Sequence, residues 1–183
     1  LDVDAIILNS AGCGSFVKDY GSLLSADPHW AERAHAFSAK IRDISEFLDD
    51  IGLRDMPGRL DQRVTYHDAC HLRHGQRIAD PPRRLLQSIP GLVYVELRDA
   101  DQCCGSAGVY NYLEPQMAST LLDKKLDAIL ETGASTVATA NPGCLAWIES
   151  GIRSREEKGT LPRGARAPRI VHPIELLDEA YRS

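Results

Sequence analysis

The sequence predicts an α/β fold: a mostly parallel sheet of four to five strands, with helices on both faces and the cysteines in loops after the strand ends. Three observations predict it. Short apolar runs, each about as long as a buried parallel strand, recur along the chain. Between them lie segments whose apolar residues return at steps of three and four, as amphipathic helices require. The five cysteines all fall at or near the far ends of the predicted strands, where such sheets carry their chemistry.

The first strand is Ala5-Ile6-Ile7-Leu8, near-continuously apolar, and Cys13 follows it. Trp30, Ala34, Phe37, Ile41, Ile44, Leu48 and Ile51 then make one apolar stripe, which predicts a single long helix. Val64-Thr65-Tyr66 is the second strand, followed by Cys70. Leu92-Val93-Tyr94-Val95 is the third, followed by Cys103 and Cys104. Met117, Leu121, Leu122, Leu126, Ile129 and Leu130 define another helix, with Gly133 as its stop. Thr136-Val137-Ala138-Thr139 is the fourth strand, followed by Cys144. Ser154 to Pro168 reads as a solvated loop, Ile170-Val171 as a fifth strand, and Ile174, Leu177 and Tyr181 as a short final helix.

The segment from Ala5 to Phe16 parallels that from Thr136 to Trp147: strand, small polar turn, Gly-Cys, then a helix. This weak repeat predicts that residues 1–55 are the tail of one structural unit and residues 56–183 a complete second one.

With 183 residues, 43% hydrophobic and 26% charged, the chain can bury a core, and long disorder is excluded. Lys plus Arg is 21 against 26 Asp plus Glu, a net charge of −5, which gives no electrostatic reason to expect nucleic acid. No apolar run approaches the roughly 18–20 residues of a membrane helix, so a soluble chain is expected. The opening Leu1-Asp2-Val3-Asp4 has no secretory character and reads as the interior of a longer polypeptide. An odd number of cysteines without a secretory context points to metal ligands or redox thiols rather than bridges.

Cys103 and Cys104 are adjacent, which suits a single tetrahedral zinc poorly but can place two thiolates on different atoms of a multinuclear cluster. Gly105, with Ser106, Ala107 and Gly108 beyond it, lets the backbone approach inorganic sulfide and offer it N–H groups. Thiolates select iron–sulfur, zinc or copper, and iron–sulfur fits best. Zinc stays open because His67, His71 and His74 surround Cys70. A redox disulfide is a third option, against which stands the lack of a Cys-x-x-Cys dithiol.

Cys70, Cys103-Cys104-Gly105 and Cys144, in this order, resemble the cysteine-rich CCG domain of heterodisulfide reductases and of iron–sulfur subunits of flavin-linked dehydrogenases. The wording from Asn9 to Gly21, Cys103 to Asn111 and Ala140 to Cys144 is similar to the glycolate oxidase (glycolate dehydrogenase) iron–sulfur family. The similarity runs over essentially the whole chain.

The resemblance implies an electron-transfer subunit that relays electrons from FAD-containing partner subunits toward quinone. It also implies a ferredoxin-like module upstream, two CCG repeats of which this chain holds the end of the first and all of the second, and cytoplasmic residence, peripheral to the inner membrane. A 4Fe-4S cluster on Cys70, Cys103, Cys104 and Cys144 follows, with Gly105 and Gly143 as close-approach positions; Cys13 either joins that set or serves the first repeat. The heterodisulfide reductase pattern ends in Cys-x-x-Cys, whereas Leu145-Ala146-Trp147 follows Cys144, so one ligand of that paired-cluster type is missing. No Gly-x-Gly-x-x-Gly fingerprint or P-loop is present, which agrees with flavin residing in partners. The alternatives are a thiol/disulfide redox catalyst of the heterodisulfide reductase type and a zinc-stabilised scaffold for subunit contact.

Overall fold

The computed structural model of the chain describes residues 2–53 and 58–183. In chain order, β1 (Ile6–Leu8) leads into α1 (Ala11–Lys18), α2 (Tyr20–Leu23) and α3 (Ala31–Ser38). β2 (Ile41–Asp43) then pairs in parallel with β1, Ile6 opposite Ile41, and runs directly into α4 (Ile44–Ile51). β3 (Arg63–His67) follows, then a π-helical turn at His71–Gly75, α5 (Asp80–Gln87), β4 (Val93–Val95), α6 (Tyr110–Leu113) and α7 (Pro115–Glu131). β5 (Thr136–Thr139), α8 (Pro142–Glu157), β6 (Arg169–Val171) and α9 (Pro173–Arg182) complete the order.

Among the described residues the larger sheet has the order β4-β3-β5-β6 and every pair in it is parallel. Successive side chains on a strand point to opposite faces, and the core divides accordingly. Val137 joins Leu126 and Ile129 of α7 and Ile148 and Ile152 of α8 on one face. Val64, Tyr66 and Ala138 join Leu85 and Leu86 of α5 and Leu176 and Leu177 of α9 on the other. β5 is buried along its whole length. Its uninterrupted Thr-Val-Ala-Thr run is what a central parallel strand covered on both faces requires.

Helices therefore cover both faces, and the fifth expected strand is β6. The single long helix expected from Trp30 to Ile51 is replaced by α3, β2 and α4. Asp43 is the reason for the restart: its side chain accepts from the Ser45 N–H at 2.9 Å while Glu46 reaches back to the Asp43 N–H, a capping box that opens α4. The break leaves Ile41 3% exposed in the strand paired with β1. The stripe of threes and fours straddles a strand too short to disturb its period.

The expected loop from Ser154 is also corrected, because α8 continues to Glu157. Arg155 explains it: its guanidinium bonds Asp127 at 2.6 Å and Asp123 at 3.0 Å on α7, which ties this stretch of helix down while Glu156, Glu157 and Lys158 stay exposed. The expected unit boundary between residues 55 and 56 lies outside the described residues.

Candidate metal centre

Because all strands of the larger sheet run parallel, their carboxyl ends share one edge, and the loops after β3, β4 and β5 meet there. His67 is the last residue of β3, and Cys70 sits three residues on, at the start of the π-helical turn. The turn between them is pinned by Asp68, 2% exposed, which accepts from Arg83 Nη1 and Nη2 at 2.8 and 2.9 Å and from Arg73 Nη1 at 3.1 Å. Cys103 and Cys104 lie in the loop after β4. Cys144 lies in the first turn of α8, immediately beyond β5.

The four thiols converge and read as one row: Cys70 interacts most strongly with Cys103, Cys103 with Cys104, and Cys104 with Cys103 and Cys144, whose Sγ lies within 4.8 Å of its own. Cys70 and Cys103 are half-buried, while Cys104 and Cys144 are 1% and 4% exposed, so the row runs from surface to interior. Each sulfur also has an N–H donor. Gly105 N–H reaches Cys103 Sγ at 3.3 Å, Asn141 Nδ2 reaches Cys144 Sγ at 3.5 Å, and the backbone of Ser106 and of His71 serve Cys104 and Cys70. Convergent N–H groups of this kind make a nest for negative sulfur.

Ionisation alternates along the row. Cys103 is pushed far below the ordinary thiol range by hydrogen bonds from Cys104 and Cys70, and Cys144 is brought down to about 5, chiefly by Cys104. Cys70 and Cys104 act as the donors and are pushed up, each first of all by its bond to Cys103 and then by burial and neighbouring thiolates. Without a cation the four sulfurs are thus unequal, Cys103 and Cys144 favouring the thiolate and Cys70 and Cys104 the thiol. Four soft sulfur donors that can ionise together only around positive charge suit a thiophilic metal or an iron–sulfur cluster.

Three further groups complete the surroundings. His67 is fully buried; its Nδ1 lies 3.2 Å from the Ala100 carbonyl, and its ligand atom lies within 4.8 Å of Cys104 and Cys144 Sγ. Lys125, 1% exposed, donates to the Asp99 and Ala100 carbonyls at 2.5 and 3.4 Å, with no carboxylate in ion-pair range among the described residues. Burial lowers its pKa, and an ionised Cys104 is the leading influence that would oppose that shift. Asn141 joins the two halves: besides its bond to Cys144 it accepts the Gly12 N–H at 3.1 Å, while Ala11 N–H donates to the Ala140 carbonyl at 3.0 Å. The turns matched by the repeat are therefore in contact.

Of the expected site residues, Cys70, Cys103, Cys104 and Cys144 come together. Cys13 lies on α1, exposed, outside the bonds that link the other four. Gly105 adopts φ +94°, and a Cβ there would stand 2.5 Å from the Ala118 carbonyl oxygen, so its missing side chain makes room for α7. A Cβ on Gly143 would stand 3.1 Å from Ser106 Oγ, which places that glycine against the loop carrying the cysteine pair. His71 approaches Cys70 with Nδ1 at 3.5 Å from Sγ, and His74 is exposed. Sequence reasoning singles out His67 only as one of three histidines; its place as the last residue of a fully buried strand is the distinguishing signal. Lys125 is detectable in the sequence as a charge on the apolar face of α7.

Residues 64–149 match the family model described as a cysteine-rich domain, CCG. The probable glycolate oxidase iron-sulfur subunit of Bacillus subtilis (strain 168) is 44% identical over 182 residues, covering 98% of this chain and 39% of that protein. The glycolate oxidase iron-sulfur subunit of Escherichia coli (strain K12) is 32% identical over 177 residues, covering 97% of this chain and 40% of that protein. Lactate utilization protein A of Lysinibacillus sphaericus (strain C3-41) is 30% identical over 176 residues, covering 96% of this chain and 73% of that protein. The chain spans well under half the length of the first two.

Proposed function

The chain belongs to the cysteine-rich CCG-domain family, and from that premise we propose that it is the iron–sulfur electron-transfer part of a flavin-linked glycolate dehydrogenase. The observation that carries this reading is the convergence of four thiols from three strand ends into one row with an N–H donor at each sulfur. Cys70, Cys103, Cys104 and Cys144 would hold a 4Fe-4S cluster, which when bound supplies one-electron transfer without a change in the protein's covalent structure. Gly105, Ser106 and Asn141 stabilise negative charge on the sulfurs, and a reduced state is favoured by such donors. Lys125, held by the Asp99 and Ala100 carbonyls, gains its positive charge more readily when Cys104 is ionised. The half-buried Cys70 and Cys103 form the side on which electrons enter or leave, while Cys104 and Cys144 face the core.

Residues 1–55 are the end of a first CCG repeat and residues 56–183 the second, with Cys13 serving the first. FAD-containing partners oxidise the substrate, a ferredoxin-like module lies upstream, and electrons pass toward quinone at the inner membrane from the cytoplasmic side. Among the described residues no helix is long and apolar enough to cross a membrane, in keeping with a peripheral role. Glycolate is preferred over lactate because identity is 44% to the Bacillus relative named for glycolate and 30% to that named for lactate.

The test is the iron, acid-labile sulfide and zinc content of anaerobically purified protein, with its visible spectrum. About four irons and four sulfides per site, lost in Cys103→Ser, are expected. Stoichiometric zinc without iron would replace this reading with a zinc-stabilised scaffold.

A further inference from the structure

We propose that His67 is a fifth protein donor to this centre, binding the metal through Nε2 beside Cys104 and Cys144. The inference rests on the presence of a metal centre on the cysteine row, and it adds a nitrogen ligand to an all-sulfur set. Its first support is the state of the ring. A carbonyl oxygen only accepts, so Nδ1 carries a proton toward Ala100 O at 3.2 Å. That leaves Nε2 as the free lone pair of the ring, fully buried and without a hydrogen-bond partner among the described residues.

The second support is the closeness of the ring to two of the cysteines. The ligand atoms of His67, Cys104 and Cys144 all lie within 4.8 Å of one another. Metal binding strips the protons from the cysteines. An imidazole nitrogen this close to two thiolates is a good ligand for iron or zinc held between them.

The third support is the anchoring. Metal-bound histidines characteristically give their other N–H to a carbonyl or carboxylate that fixes tautomer and orientation. Ala100 O does this, and is itself held by the Asp68 N–H at 3.1 Å and by Lys125 Nζ at 3.4 Å. The ring is thus aimed before any metal arrives.

The experiment uses the full-length protein, loaded anaerobically with iron and sulfide, reduced, and studied by pulsed electron paramagnetic resonance with natural and 15N-labelled histidine. A strongly coupled nitrogen that changes with the label is expected, and it is lost in His67→Gln while iron is retained and in His71→Gln persists. Only the weak coupling of an N–H···S contact in iron-loaded wild type would overturn the proposal, as would strong coupling that survives His67→Gln. If His67→Gln does not fold, the labelled wild type with His71→Gln decides between the same outcomes. Should no iron bind, the electron-relay reading fails separately, and X-ray absorption of the zinc-loaded protein decides for His67. A nitrogen at about 2.0–2.1 Å beside sulfur at about 2.3 Å supports it, and a sulfur-only shell overturns it.

Discussion

Replacing Gly105 by alanine should destabilise the metal-free protein far more than the same change at Gly108, three residues away in the same loop. Both glycines have positive φ, +94° and +61°, where an L residue is strained by about 1–2 kcal/mol. At Gly108 nothing lies within 4 Å of the added Cβ, so that strain is the whole cost. At Gly105 the Cβ would stand 2.5 Å from Ala118 O and 3.2 Å from the Ala118 carbonyl carbon and Cα, all helix backbone that cannot swing aside. That is about 1 Å inside the ~3.5–4.0 Å optimum for a non-bonded pair. Relieving the overlap by moving α7 or the loop should cost about 1–3 kcal/mol more. The predicted totals are about 1–2 kcal/mol for Gly108→Ala and about 2–5 kcal/mol for Gly105→Ala, read from urea unfolding midpoints of reduced protein. Equal losses in the two variants would refute the close-approach reasoning and leave only backbone strain. Gly105→Ala should also weaken metal retention, since the moved N–H is the donor to Cys103 Sγ.

Cys104→Ser should remove most of the bound metal, measured by elemental analysis, because the row loses its central link between Cys103 and Cys144. Asp68→Ala should cost about 3–5 kcal/mol in thermal or urea unfolding, since Arg83 and Arg73 would lose a buried acceptor that pins the turn before Cys70. Metal loading at pH 7 should release protons, chiefly those of Cys70 and Cys104, whose pKa values are raised, and fewer from Cys103 and Cys144, whose pKa values are lowered. Apparent affinity should therefore fall as pH falls, with calorimetry in buffers of different ionisation enthalpy as the check. Release of no protons would contradict the alternating row.

The parallel sheet was legible because β3, β4, β5 and β6 are each short apolar runs between helical segments, and β5 in particular has no polar alternation to confuse it. β2 was not, because Ile41 and Ile44 fit the helical period of their neighbours and only tertiary pairing with β1 makes Ile41–Asp43 a strand. In a segment of three residues, propensity is outweighed by such a partner. Convergence of Cys70, Cys103, Cys104 and Cys144 followed from one general fact, that parallel strands deliver their carboxyl-end loops to one edge. What spacing could not reveal was the second layer. His67 and Lys125 are 58 residues apart in sequence and meet only through the Ala100 carbonyl, which no periodicity encodes.

Asn141 is where the two halves of the chain and the chemistry of the row coincide. Its Oδ1 accepts the Gly12 N–H at 3.1 Å, and its Nδ2 donates to Cys144 Sγ at 3.5 Å. Asn141→Asp separates these roles, because the carboxylate keeps an acceptor for Gly12 but offers no donor to sulfur. The Cys144 thiolate, held down in part by that donor, would then face a like charge, and its pKa should rise. Asn141→Ala removes both contacts. If the amide serves only to hold α1 against the larger sheet, Asn141→Asp should keep native stability and metal content, and Asn141→Ala should lose both. If it serves the sulfur, Asn141→Asp should fold as well as wild type yet bind metal more weakly, with Cys144 ionising at higher pH when followed by ultraviolet thiolate absorbance. The geometry supports the second outcome, since the short backbone bond from Ala11 to Ala140 already holds the two turns together without the side chain.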